Sequence, residues 1–319
     1  LTAAVAHCEL CLALSPDKSN VVVAAGDKSG RFGLWAVDSS NDVGSDGVFS
    51  ARPHSATLSD IQFNRTEPNK VFTSSYDGRV MMIDTHTTSG FQEIYNNGGD
   101  AGYFEMAFMD NGKGMYLARD DGGLSQLDLR SGTVVNDWQL HEKKINTVNL
   151  RPGKEHYIST ASLDRSCGVF DSRNMKQALH VLPHALSLNQ STWSPDGAVM
   201  TTLCMDNKIR CYDADDLCNN PAKPDHFPRK QTNVCHHDNR TGRWLTKFKV
   251  HWDPKQPNAF VIGSMDQPRC IEVFNKSCTR VMRMREDEVV KSVQSLSKFH
   301  DTRDVIVSAN ASGKVHVWR

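Results

Sequence analysis

Residues 162–173, SLDRSCGVFDSR, decide the fold because weaker copies of this stretch recur along the chain. Its first part, Leu163-Asp164-Arg165, has the chemistry of a tight turn. Cys167, Val169 and the aromatic Phe170 suit a half-buried pleated surface better than a helix. The stretch therefore predicts one turn and one β-strand of a repeated unit.

Six further copies lie at residues 29–35, 77–84, 121–128, 206–213, 266–275 and 312–318. A bulky apolar residue precedes each of the seven copies, and the gap from it to the residue that ends the later strand stays at 19 to 22. The pairs are Leu14/Trp35, Phe63/Ile83, Phe108/Leu127, Leu150/Phe170, Trp193/Tyr212, Trp252/Phe274 and Phe299/Trp318. A period of about 40 to 45 residues with several short strands per unit is typical of a β-propeller. The sequence predicts an all-β fold, a seven-bladed propeller that uses residues 1–319 as a single domain.

Two irregularities in the repeat carry further predictions. Most strand-ending residues follow one another at 42 to 48 positions, but 62 positions separate Tyr212 from Phe274. The excess predicts an inserted loop at residues 214–243, and insertions on one face of a repeat array are often binding elements. The last unit ends at Arg319 after its third strand, so residues 1–6 are expected to supply the fourth strand and close the ring.

Composition limits the possible partners. The chain has 37 basic and 37 acidic residues, so its net charge of zero predicts no partner and only local clusters can. Nine cysteines scattered among strands fit a reducing nucleus or cytosol better than a disulfide framework. No apolar run approaches the roughly 20 residues that span a membrane.

Basic residues concentrate between His226 and His251, where six Lys or Arg accompany one acid, Asp238. Such residues neutralise phosphates, and an aromatic side chain can stack on bases or wedge between them. The sequence predicts a DNA-binding site formed by Arg240, Arg243, Trp244, Lys247 and Lys249. The alternative is a solvated loop whose Trp244 and Phe248 pack into a blade. Phe248 is expected in the core because it begins the strand that leads to Trp252.

A histidine enters three of the units nine residues before the bulky apolar position, at His54, His141 and His184. Each is expected to form a buried hydrogen-bond network with a hydroxyl and a carboxylate. The predicted partners are Thr73 and Asp77, Ser159 and Asp164, and Thr201 and Asp206. We interpret these networks as structural. The sequence predicts no enzyme, no cofactor and no metal site.

Two adjacent units end their third strands with Asp-x-Arg, at Asp128/Arg130 and Asp171/Arg173. These ends are expected on the propeller face opposite the aspartate turns. The outer strand then returns, which places Arg240 and Arg243 on the same face as those turns. One face could therefore hold DNA while the other holds a protein partner.

The chain resembles the WD-repeat family of propellers. The resemblance is carried by residues 241–248 (TGRWLTKF), 252–256 (WDPKQ), 263–265 (GSM) and 312–317 (SGKVHV), and it points to the branch that contains the small subunit of the damaged-DNA-binding complex. The chain departs from the family pattern at its strand ends, where Phe170-Asp171 and Tyr212-Asp213 stand in place of Trp-Asp.

This resemblance implies a nuclear protein that binds double-stranded DNA, damaged or modified, and that also meets chromatin proteins. It further implies a substrate receptor of a cullin-RING ubiquitin ligase, because the paired Asp-x-Arg ends resemble the adaptor-binding box of such receptors. The alternative is a peptide-binding scaffold propeller without nucleic-acid contact, whose basic segment would meet an acidic protein tail. The salt dependence of duplex binding discriminates between the two functions.

Overall fold

The computed structural model describes residues 2–4, 9–39, 47–87, 90–109, 112–219, 231–242 and 246–319. These residues form 28 strands, one short α-helix, α1 (Ala214–Asn219), and a 3-10 turn at Val37–Ser39. The strands are β1 Thr2–Ala4, β2 Glu9–Leu14, β3 Val22–Asp27, β4 Phe32–Ala36, β5 Val48–Ala51, β6 Leu58–Phe63, β7 Lys70–Ser75, β8 Arg79–Asp84, β9 Gln92–Asn96, β10 Tyr103–Phe108, β11 Gly114–Arg119, β12 Gly123–Asp128, β13 Thr133–Gln139, β14 Ile145–Leu150, β15 Tyr157–Ser162, β16 Ser166–Asp171, β17 His180–Pro183, β18 Leu188–Trp193, β19 Val199–Cys204, β20 Lys208–Asp213, β21 Asn233–His236, β22 His251–Trp252, β23 Ala259–Gly263, β24 Ile271–Asn275, β25 Arg280–Met284, β26 Gln294–Phe299, β27 Ile306–Asn310 and β28 Lys314–Trp318.

The strands form seven antiparallel four-stranded sheets, which are the seven blades that the repeat predicts. Blades 1 to 6 use consecutive strands, from β2–β5 in blade 1 to β22–β25 in blade 6. Blade 7 combines β26, β27 and β28 with β1. The first strands of most neighbouring blades pack together, a hydrophobic cluster joins blades 5 and 6, and β2 packs against both β6 and β26, so the ring is closed.

The closing strand comes from the start of the sequence, as predicted. Strand β1 pairs antiparallel with β28, with Thr2 opposite His316 and Ala4 opposite Lys314. This pairing covers the edge of β28, which would otherwise present unpaired backbone groups. The prediction that residues 1–6 supply the fourth strand of the last blade is confirmed.

The hydrophobic core lies between neighbouring blades. One cluster joins Val23 and Trp35 of blade 1 to Val307 and Val315 of blade 7, and all four side chains are buried. Both faces of the inner strands are covered, as in β15, where every residue is buried. This double burial explains why the inner strands are rich in small and β-branched residues.

The turns between second and third strands have a common backbone conformation. Gly78 has φ +75°, in the left-handed region where glycine has no steric penalty. Arg165 and Asn207 occupy the same place in blades 4 and 5 with φ of 74° and 62°. These turns contact the loops that lead into the next blade: the N–H of Asn97 donates to the carbonyl of Gly78 at 3.1 Å. We call this side of the ring the turn face.

The other side of the ring, the opposite face, carries the turns between first and second strands and between third and fourth strands. There the N–H of Leu129 donates to the carbonyl of Lys113 at 2.9 Å. Arg130 and Arg173 follow the ends of β12 and β16 and therefore lie on the opposite face.

The described residues of the predicted insertion, 214–219 and 231–242, contain two regular elements. Helix α1 buries Leu217 and Cys218 in the cluster between blades 4 and 5. Strand β21 is the fourth strand of blade 5 and pairs with β20. Residues 220–230 lie outside the described part of the chain. Among the described residues, no helix has the length and apolar character needed to cross a bilayer.

Candidate nucleic-acid interface

The loop at residues 237–242 presents alternate side chains to solvent on the turn face. His237, Asn239 and Thr241 are buried, whereas Asp238, Arg240 and Gly242 are exposed. The amide of Asn239 donates through Nδ2 to the carbonyl of Cys204 at 2.8 Å.

The same residue also ties the loop to the turn of blade 5. The backbone N–H of Asn239 donates to the side-chain Oδ1 of Asn207 at 3.0 Å. Because the buried residues fix the loop, the exposed Arg240 is held outward from a well-anchored backbone.

Two residues of the predicted site, Arg243 and Trp244, lie outside the described residues. Their roles stay predictions. In the sequence they lie between Gly242 and Thr246, the described residues on either side.

Residues 246–250 lead into β22 with alternating burial. Phe248 and Val250 are buried in the cluster between blades 5 and 6, so the expectation that Phe248 belongs to the core is confirmed. Lys247 and Lys249 alternate with them and are half-buried. The alternation of an extended chain places both lysines on the side away from that cluster.

Lys249 reaches across the axis of the ring. Its Nζ lies 3.3 Å from Oε2 of Glu105, which belongs to blade 3, three blades away. Burial raises the pKa of Glu105 to about 7, although Lys249 opposes this shift. Burial disfavours the charged form of Lys249 too, but Glu105 and Asp60 outweigh it and raise the pKa of that lysine. The structure thus gives Lys249 an internal anionic partner.

Four charged side chains line this axial region, and we call them the axial cluster: Asp60, Glu105, Lys249 and Lys298. Asp60 is fixed by hydrogen bonds, because its Oδ2 accepts the N–H of Met106 at 2.9 Å. Burial lowers the pKa of Lys298, and the two acids act in the other direction. Two acids and two lysines balance each other, so the axial cluster adds no net charge when all four are ionised.

A second group at the turn-face end of the axis was missed by sequence reasoning, and we call it the rim cluster: Tyr76, Phe104, Lys144 and Lys247. The rings of Tyr76 and Phe104 have centroids 4.3 Å apart and are tilted by 39°. The Nζ of Lys144 lies 3.5 Å from the Phe104 centroid and 5.9 Å from the Tyr76 centroid. Tyr76 is 40% exposed.

Local backbone features assemble the rim cluster. Phe104 is the extra residue where the pairing of β10 with β11 shifts, between Tyr103 and Glu105, and such bulges re-aim a side chain. Gly102 allows the turn of blade 2 to approach, because a Cβ there would lie 3.1 Å from the Tyr76 Cα. Only Tyr76 stands beside a turn that the repeat predicts, at residues 77–84, so no sequence pattern joins the four residues.

Two of the three predicted histidine networks are present, those of His54 and His141. His54 contacts Asp77 through Nδ1 at 3.2 Å and the hydroxyl of Thr73 through Nε2 at 2.9 Å, as predicted. His141 contacts Asp164 at 2.8 Å, but its hydroxyl partner is Thr160 at 2.7 Å. The prediction of Ser159 was wrong because neighbouring strand residues point to opposite sides of a sheet.

In blade 5 the network has a different form. His184 contacts Thr202 at 3.0 Å in place of the predicted Thr201, and its Nδ1 contacts the carbonyl of Leu182 at 3.0 Å. The carboxylate predicted for it, Asp206, instead binds the guanidinium of Arg210, with Nη1 at 3.0 Å from Oδ1. The hydroxyl groups of these networks are buried, which supports a structural role.

The two Asp-x-Arg ends differ in detail. Asp171 binds the guanidinium of Arg173, with Nε at 2.9 Å from Oδ1 and Nη2 at 2.6 Å from Oδ2. Asp128 accepts the backbone N–H groups of Arg130 and Ser131 at 2.9 and 2.8 Å. Both arginines are exposed. In the described ranges, no group of three or more His, Cys, Asp or Glu side chains is arranged to hold a metal ion.

Comparison with known proteins agrees with the fold. A family model described as "WD domain, G-beta repeat" matches residues 176–213, which include β17 to β20. With its seven four-stranded blades and its closing strand, the chain is a β-propeller, and the stretch that matches the WD-repeat model lies in blades 4 and 5. It is similar to WD repeat-containing protein 76 of Xenopus laevis, with 34% identity over 315 residues, which cover 96% of this chain and 52% of the frog protein.

Other relatives extend this similarity. WD repeat-containing protein 76 of Mus musculus is 34% identical over 96% of this chain and 48% of its own length. The DNA damage-binding protein CMR1 of Scheffersomyces stipitis is 27% identical over 95% of this chain and 63% of its own length. The chain spans about half the length of the WD repeat-containing protein 76 relatives.

Proposed function

We propose that this chain is a nuclear DNA-binding module that recognises damaged or modified duplex DNA on its turn face. The observation that carries the proposal is the exposed Arg240 on an anchored turn-face loop, with the half-buried Lys247 seven residues further along the chain. Similarity to proteins named DNA damage-binding protein CMR1 supports the same ligand.

The charge distribution supports a phosphate-binding role for this segment. Among the described residues, Lys247 has no carboxylate partner, and its pKa is lowered by burial and by the neighbouring Lys249. A nearby phosphate would relieve both effects, because an anion stabilises the charged form of an ammonium group. Arg240 and Arg243 would contribute further phosphate contacts, while Lys249 shares its charge with Glu105.

Trp244 has a separate role in this proposal. It stands between Arg243 and Lys247, so it would act on the bases while its neighbours act on phosphates. Stacking of a base on an aromatic ring contributes about 1 to 3 kcal/mol and depends little on sequence. Recognition of distorted DNA would then come from the ease with which its bases unstack.

We further propose that the opposite face binds the adaptor of a cullin-RING ubiquitin ligase, which would make the chain a substrate receptor of that ligase. The support is the exposure of Arg130 and Arg173 on two adjacent blades. A guanidinium group is a rigid bidentate donor that suits such a contact. DNA and adaptor would then occupy different faces of one ring.

The test of DNA binding is a salt titration of the affinity for a 20-base-pair duplex. Each of Arg240→Ala, Arg243→Ala and Lys247→Ala should weaken binding to all duplexes similarly and reduce the slope of log K against log salt by about one. Trp244→Ala should instead remove the preference for distorted or modified duplex, with a loss on the order of 1 to 3 kcal/mol.

Lys276→Ala is the control, because this exposed lysine follows β24 on the opposite face. It should bind as the unmodified chain does. If the triple variant of Arg240, Arg243 and Lys247 also binds as the unmodified chain does, the proposal is wrong and the peptide-binding scaffold is favoured. If Trp244→Ala unfolds the protein, Trp244 is a core residue and has no role on bases.

A further inference from the structure

The rim cluster combines three features that point to one kind of ligand. The Tyr76 ring is partly exposed and lies tilted against Phe104. The Lys144 ammonium sits on the Phe104 ring, 3.5 Å from its centroid, where it is half-buried. Blades 2, 3 and 4 supply Tyr76, Phe104 and Lys144, and Lys247 of blade 6 is close enough to repel Lys144.

The surroundings of both lysines in the rim cluster disfavour the charged ammonium form. Lys144 has its pKa lowered to about 8, first by burial and then by repulsion from Lys247. Neither ammonium forms an ion pair with a described carboxylate. The nearest acidic influence on Lys144 is Asp120, an exposed residue in the turn after β11, which favours the charged form. Two half-buried ammonium groups, of which Lys247 repels Lys144, are suited to an anionic ligand.

The aromatic part of the cluster limits what that anion can be. An inorganic anion would use the lysines but not the exposed Tyr76 face. A cationic peptide would be repelled by Lys144 and Lys247. A nucleotide uses both parts, because its base stacks on aromatic rings and its phosphate attracts ammonium groups. Double-stranded DNA offers such a base only where one nucleotide is unpaired or leaves the stack.

We propose that the rim cluster binds a single unpaired nucleotide, with its base on the exposed ring of Tyr76, which packs against Phe104, and with its phosphate near Lys144 and Lys247. This inference rests on the proposed DNA-binding function and specifies its substrate class: DNA with an extrahelical or unpaired base. The DNA interface would then include blades 2 to 4 as well as the basic residues between Arg240 and Lys249.

The test compares two probes, a fully paired 20-base-pair duplex and the same duplex with one extra unpaired adenine. The unmodified chain should bind the bulged duplex more tightly. The double variant Tyr76→Leu, Phe104→Leu keeps apolar bulk but removes both rings, so it should lose about five- to a hundredfold in affinity for the bulged duplex. Its affinity for the paired duplex should be unchanged.

Substitutions of Lys144 and of Asp120 should have opposite effects on the affinity for the bulged duplex. Lys144→Met should weaken bulged-duplex binding and reduce its salt slope by about one. Asp120→Asn should strengthen that binding, since it removes the acid that faces the cluster. Lys176→Met, in the turn after β16 on the opposite face, and Trp138→Leu, a half-buried aromatic residue on the outer strand β13, are the matched controls and should change neither affinity.

Failure of this inference can be told apart from failure of the proposed function. If the unmodified chain binds no duplex with a salt-dependent affinity, the proposed function itself is wrong. A second outcome is that the unmodified chain binds both duplexes with a clear salt dependence, but the Tyr76/Phe104 double variant keeps its preference for the bulged duplex. In that case the proposed DNA binding on the turn face is still supported, and the nucleotide site is overturned. Circular dichroism of each variant shows whether the propeller remains folded.

Discussion

Buried histidines make the stability of this propeller depend on pH. Burial lowers the pKa of His184 to about 4 and that of His251 to about 3. In the unfolded chain both groups take up protons near pH 6.5. A depressed pKa in the folded state gives stability that is present above pH 6.5 and is lost as the pH falls towards the folded value.

We therefore expect His184→Gln to flatten the acid side of the stability profile. Between pH 7.5 and 5.0 the unmodified chain should lose about 2 kcal/mol more unfolding free energy than this variant. The reason is that His184 takes up a proton on unfolding, whereas the glutamine of the variant cannot. Urea denaturation at several pH values measures the difference. His86→Gln, at an exposed position, is the control. Equal pH dependence of the two variants would show that burial of His184 has no such effect.

At the residue scale, the sequence identified the histidines more reliably than their partners. The hydroxyl residue stands four positions before the aspartate of its turn in Thr73/Asp77, Thr160/Asp164 and Thr202/Asp206. A constant offset of four was a usable signal. The rim cluster was not predictable in this way, because its members come from four blades and meet only in the folded ring.

At the element scale, the inner strands share an irregularity that sequence patterns do not show. Pairing shifts by one residue near the start of β2, β6, β10, β14, β18 and β26. In β10 this shift positions Phe104 in the rim cluster. The repeat predicted strands and turns in each unit because their apolar spacing is regular. It could not show bulges, which depend on how each strand meets its neighbour.

The prediction that this chain binds a ligase adaptor rests on the ends of two strands, β12 and β16. The double variant Arg130→Ala, Arg173→Ala should lose association with the ligase adaptor, because both guanidinium groups follow strand ends on the opposite face. Folding and DNA affinity should stay unchanged, since both side chains are exposed. A pull-down with the purified adaptor measures the loss.

Lys276→Ala again supplies a matched control, because Lys276 follows the third strand of blade 6, which ends in Asn275 without an Asp-x-Arg. This variant should bind the adaptor normally. Full retention of the adaptor by the Arg130/Arg173 double variant would refute the assignment of the opposite face.

At the scale of the whole molecule, the ring separates the two proposed functions. Closure by β1 joins blade 7 to the start of the chain, and the Lys249–Glu105 pair links blades 6 and 3 across the axis. The number of blades followed from the repeat, since each copy supplies one sheet. The Lys249–Glu105 pair could not be predicted from the repeat, because residues 105 and 249 become neighbours only when the ring closes.

Hydrogen–deuterium exchange of the unmodified chain, with and without saturating duplex, tests the central claim most directly. Binding on the turn face predicts slower exchange in residues 237–250 and, with a bulged duplex, in residues 75–78 and 103–105. Residues 128–131 and 171–176 on the opposite face should exchange at the same rate in both samples. Protection confined to the opposite face, or no protection at all on addition of saturating duplex, would contradict the account.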